Sequence, residues 1–186
     1  MEYIREVFRT KKYVVILLIL LAAAEVFLFS AYGYHWLKIC RYMILSLGLV
    51  LLGFIDAQHT LIPNHILLGM LGVRGAVLAG EVAVMPSLWK EMLLSAFGGL
   101  LFGLLVFGIA RLCSRGSVGM GDVKLVAVIG WYLGGSLIWL DMVGCLSLAA
   151  LFSIIQLARK RLSLKMSIPL APFFTVGTIV ILLLGF

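Results

Sequence analysis

Residues 92–112 read MLLSAFGGLLFGLLVFGIARL, twenty-one positions with a single charge, Arg111, one place from the end. At about 1.5 Å per residue, such a run coiled as a helix is about 30 Å long, the thickness of a bilayer's hydrocarbon core. A water-soluble helix of that length would carry a polar face, and this one has none. It therefore reads as a membrane span. Comparable apolar runs occupy 13–31, 37–55, 66–84, 137–157 and 168–186, with a shorter one at 123–134 that is brief for a full crossing. The whole chain agrees: 63% of its 186 residues are hydrophobic and 12% are charged, against about a quarter charged in a soluble domain. That excludes an ordinary soluble fold, and it excludes disorder, which is poor in apolar groups. The expected fold is all-α, a polytopic transmembrane bundle of about six to seven helices. Residues 1–186 are expected to form one transmembrane domain with no extramembrane domain. Gly98, Gly99, Gly103 and Gly108 in the quoted stretch predict close helix packing.

The net charge is +7, from 15 Lys and Arg against 8 Asp and Glu. No basic helix with interleaved aromatics and no zinc finger is present, so no nucleic-acid partner is expected. The excess base instead orients the chain and touches anionic lipid. With the N-terminus cytoplasmic, eleven of the fifteen cations fall inside: Arg5, Arg9, Lys11, Lys12, Arg111, Arg115, Lys124, Arg159, Lys160, Arg161 and Lys165. Lys38, Arg41 and Lys90 fall outside, and Arg74 lies within a span. A multi-pass protein of the inner (plasma) membrane is expected. Ala22-Ala23-Ala24 could pass for a signal-peptide cleavage site, but the apolar run continues well beyond it, so an uncleaved first span is expected. Cys40, Cys113 and Cys145 are widely spaced and form no CxxC; they read as buried small hydrophobes.

The eight acids divide by context. Glu2, Glu6, Glu81 and Glu91 read as surface groups in solvated segments, while Glu25 and Asp141 lie in or near apolar runs, where Arg74 is a candidate partner for either. Asp56 and Asp122 stand apart. Asp56 ends the second run ahead of Ile62-Pro63-Asn64; Pro63 cannot continue a helix, and Asn64 suits an N-cap. The link between them is predicted to be non-helical and to line a watery pocket. Asp122 follows Gly119-Met120-Gly121 and precedes Val123-Lys124-Leu125. The glycines permit unusual backbone angles and close approach of another segment, and Asp122 is predicted at a helix start, where the dipole favours its ionised form. Both acids fall on the cytoplasmic side. Two carboxylates brought together do not both ionise near neutral pH, so one can accept a proton from water while the other donates one. The pair titrates as a unit; the helix N-terminus argues for Asp122 as the base. His59 and His65 flank the link without a third ligand, so no metal is expected, and no cofactor is called for.

These two strings resemble the two signatures of the type IV prepilin peptidases, aspartic membrane proteases with a GxGD motif. Ile168-Pro169-Leu170-Ala171-Pro172-Phe173-Phe174 is similar to that family's last helix, and the resemblance covers about residues 37–186. It implies Asp56 and Asp122 as the catalytic pair, with Gly119 and Gly121 shaping the turn and Pro63, Asn64 and Lys124 as supporting positions. It also implies cleavage of the basic leader from prepilin-like membrane precursors (pilins, pseudopilins, flagellin-like proteins) at the cytoplasmic face. Many bacterial relatives carry a segment with paired CxxC motifs associated with N-methylation. This chain has none and resembles the short, peptidase-only branch, so methyltransferase activity is not expected. Two other readings compete. A proton- or cation-coupled transporter would use the same membrane acids and predicts inverted repeats, of which none is visible. A related protease with another substrate would share the aspartyl chemistry.

Overall fold

A computed structural model describes residues 12–114, 118–159 and 169–185. Arg5, Arg9, Lys11, Arg115, Lys160, Arg161, Lys165 and Ile168 lie outside the described residues, as do Glu2 and Glu6. Among the described residues run seven α-helices: α1 (Lys12–Ala31), α2 (Trp36–His59), α3 (Asn64–Val84), α4 (Trp89–Cys113), α5 (Met120–Leu133), α6 (Ile138–Ala158) and α7 (Ala171–Leu183). A 3-10 turn, Pro86–Leu88, leads into α4. Four segments are long and apolar enough to cross a membrane: α2, α3, the 3-10 turn with α4, and α6. The protein is an all-α membrane helical bundle.

α5 is the helix around which the site is built. Its 14 residues would extend about 21 Å, short of the roughly 30 Å hydrocarbon core. Every residue from Leu125 to Leu133 is buried. It packs most closely on α4, where Gly99 faces Gly130 backbone to backbone and Gly103 faces the Val126 carbonyl. A Cβ on Gly99 or Gly130 would run into the other's carbonyl oxygen. Of the four α4 glycines, Gly99 and Gly103 make these contacts, one turn apart on one face, whereas Gly98 and Gly108 have open space. α7 packs against α2 and α6; the Thr175 hydroxyl donates to the Leu49 carbonyl at 2.8 Å and to the Ala171 carbonyl at 2.9 Å.

Several charged and polar residues stand elsewhere than expected. Glu81 is no loop residue: it lies in the last turn of α3, 7% exposed. It is the partner of Arg74, whose Nη1 donates to Glu81 Oε2 at 2.9 Å, while Arg41 Nη1 donates to Glu81 Oε1 at 3.1 Å. Arg74 also donates from Nε to the Trp131 carbonyl at 3.3 Å, tying α3 to α5. Arg74 thus pairs with neither Glu25 nor Asp141. Glu25 is fully buried beside the Ser46 hydroxyl without a hydrogen bond of good geometry. Asp141 is buried and accepts from Cys145 Sγ at 3.6 Å. Cys145 is buried, but Cys40 and Cys113 are exposed, so the expectation of burial holds for one of the three.

Candidate active site

Asp56 sits inside α2, one turn before its end, rather than on the link that follows. α2 stops at Thr60, whose φ of 49° and ψ of 39° are left-handed, a sparse region for a β-branched residue. The Thr60 N–H donates to the Asp56 carbonyl at 2.8 Å. The non-helical link is therefore only residues 60–63, ending at Pro63, the N-cap of α3.

The Asp56 side chain is 5% exposed, and its Oδ2 accepts a hydrogen bond from the Ala171 N–H at 3.1 Å. Ala171 is the first residue of α7, and Leu170 at its N-cap makes no side-chain cap. A helix's first N–H groups lack intrahelical partners, and Pro172 in this turn has no N–H to offer. A carboxylate from another helix meets the need and receives the positive end of the α7 dipole in return. The proline-punctuated string 169–172 signals a helix start, yet nothing in the sequence says which side chain that start would face.

Asp122 lies in the first turn of α5, ahead of the helix's buried apolar run. Burial pushes its carboxyl up to about 6, the charge of Asp56 pushes the same way, and a backbone hydrogen bond at Gly119 opposes both. The two acids, sixty-six positions apart in the chain, thus act on one another electrostatically. The glycines contribute space rather than unusual angles. Gly119 has φ −62° and ψ 142°, open to any residue, but a Cβ there would stand 2.9 Å from Asp122 Oδ2. A Cβ on Gly121 would stand 3.1 Å from the Ile62 Cβ. Gly121 thus lets the 60–63 link lie against the first turn of α5, and Gly119 leaves room for the Asp122 carboxylate.

Asn64 is the first residue of α3 and does not cap it. Its Oδ1 instead accepts from Lys124 Nζ at 3.0 Å, an exposed bond joining the two strings that carry the acids. Arg111 also acts here, unanticipated from the sequence: its Nη1 donates to the Val118 carbonyl, and the Val118 N–H donates to Ser114 Oγ at 3.4 Å. These bonds fix the chain as it enters Gly119. No group of three or more His, Cys, Asp or Glu side chains converges among the described residues in a way that could hold a metal ion.

Residues 43–157 match the type IV leader peptidase family. The chain is 32% identical over 137 residues to a prepilin leader peptidase/N-methyltransferase of Bacillus subtilis, covering 74% of this chain and 52% of that one. It is 25% identical over 169 residues to the protein of that name from Pseudomonas aeruginosa, covering 83% and 52%. The corresponding figures for the Stutzerimonas stutzeri protein are 24% over 169 residues, 83% and 52%. The chain spans about half the length of these curated relatives. No solved structure gives a significant match.

Proposed function

The chain belongs to the type IV leader peptidase family, and from that premise we propose that it is a membrane aspartic endopeptidase in which Asp56 and Asp122 activate water. Its substrates on this reading are prepilin-like precursors, cut between a basic leader and the apolar helix behind it, at the cytoplasmic face. The peptidase reaction alone is proposed.

The observation that carries the proposal is the convergence of two carboxylates on helix N-termini, Asp122 within the first turn of α5 and Asp56 accepting from the first N–H of α7, with the Asp56 charge acting on Asp122. Like charges so placed share one proton near neutral pH. Both acids face helix N-termini, so the dipole argument no longer singles out Asp122 as the base. Asp56 keeps the N–H of Ala171 as donor to its charged form, and Asp122 is raised to about 6. The pair therefore holds its shared proton as a unit, and either carboxyl can serve as the acid. In the reaction, a water oxygen attacks the scissile carbonyl carbon while the ionised carboxylate takes its proton. The protonated acid donates to the carbonyl oxygen, whose π bond opens to give the tetrahedral intermediate. Collapse re-forms the carbonyl, breaks the C–N bond and sends a proton to the leaving amine.

The test is cleavage of a prepilin-like precursor by the protein reconstituted in vesicles. Asp56→Asn and Asp122→Asn should each lower kcat by at least about a hundredfold, the low end for general acid–base catalysis, without loss of insertion. Normal processing by either variant overturns the assignment. Loss of a proton flux across the same vesicles, with cleavage intact, would instead favour the transporter reading.

A further inference from the structure

The end of the bundle away from Asp56 and Asp122 holds a cavity of about 540 Å3, and it is not part of the peptidase reading. It forms where the start of α2, the end of α3, the start of α4 and the α5–α6 turn converge, and its lining includes Lys38, Arg41, Tyr42, Glu81, Glu91 and Tyr132. His35, Ser95 and Ser136 add further polar groups, and the rest of the wall, including Leu88 and Met92, is apolar.

Three observations bear on what it holds. First, the charge does not balance. Arg41 and Arg74 share the single carboxylate of Glu81, Lys38 adds a third cation, and only Glu91 remains to offset it. Lys38 rests 3.4 Å above the Tyr34 ring rather than on an acid. One positive charge is left over in a site partly shielded from water. Second, Arg41 has no carboxylate to itself: Nη1 reaches the Glu81 carboxylate that Arg74 also engages, and Nη2 reaches the neutral Tyr42 hydroxyl. Third, the cavity lies at headgroup depth. Trp36, Trp89 and Trp139 are 61%, 46% and 55% exposed, and they open α2, α4 and α6 at this same end. Tyr32, 45% exposed, stands beside them at the end of α1. Exposed tryptophan and tyrosine gathered at one level mark the membrane–water interface.

We propose that this cavity binds the phosphodiester headgroup of an anionic phospholipid, with Lys38 and Arg41 as its cationic contacts and the acyl chains lying along the apolar wall. A single negative charge neutralises the surplus that Lys38 and Arg41 bring to the cavity lining. The apolar wall and the aromatic level select a lipid over a free anion.

The full-length protein in detergent is titrated with phosphatidylglycerol, phosphatidylcholine or sodium phosphate, and retained ligand is read by native mass spectrometry. Phosphatidylglycerol should be retained about fivefold better than phosphatidylcholine, and Lys38→Met and Arg41→Gln should each lower that preference by about fivefold, the scale of one cation near an anionic surface. Lys90→Met, at a cation over Trp89 that does not line the cavity, should leave it unchanged. Equal retention of the two lipids overturns the proposal. So does a Lys38→Met protein that keeps the preference, a Lys90→Met protein that loses it, or retention of phosphate ion in place of lipid.

Discussion

At the scale of the residue, Asp122 carries two separable influences. Burial is the larger and the charge of Asp56 the smaller, both raising its carboxyl from the ordinary value of 3.8 to about 6. Replacing Asp56 with Asn deletes the second and keeps the first, so the Asp122 titration should move down from about 6 while staying above 3.8. The carboxyl infrared band followed against pH reads this directly. A titration that does not move would mean that the two acids do not sense each other, and the shared-proton chemistry would fail with it. The sign for the wild type follows: the proton on the pair is present below about 6 and is lost as pH rises through it. The cleavage rate of the free enzyme should therefore fall on the alkaline side.

The packing of elements accounts for which features were legible beforehand. Apolar runs of the right length placed the helices because span length is a property of the chain and the bilayer alone. The α4 glycines announced close packing, but the sequence could not say which two of four would be used; that depends on the face α4 turns to α5. Gly99→Ala should cost about 1–3 kcal/mol as the backbones are forced apart. Gly98→Ala and Gly108→Ala, with nothing near the added methyl, should be neutral or slightly stabilising, since Ala is the better helix former. Thermal unfolding in detergent distinguishes them. The candidate site was legible to a similar depth. Asp56, Asp122 and the glycines between the helices could be picked out from local context, whereas Ala171 and Arg111 could not, because their contributions are a backbone N–H and a reach across a turn. Asn64 looked like a cap by residue type, but its side chain is taken by Lys124 from another helix, and a local rule has no access to that competition.

For the molecule as a whole, charge is divided between the two ends of the bundle. At one end two acids meet helix N-termini; at the other, cations crowd one carboxylate. Glu81 read as a surface group because its neighbours in sequence look like a loop approach, yet folding carries it between Arg41 of α2 and Arg74 of α3. Arg74 is 2% exposed and could not stay charged there without an acid beside it. Removing one member of a buried pair costs about 3–5 kcal/mol, because the other is left uncompensated. Glu81→Gln strands both arginines, while Arg41→Gln leaves the Arg74–Glu81 bond in place and removes only the partner that still touches solvent. The first should therefore lower the unfolding temperature well beyond the second. If the two variants unfold alike, Glu81 is not the anion that keeps Arg74 inside the bundle, and another must be sought among the groups packed against α3.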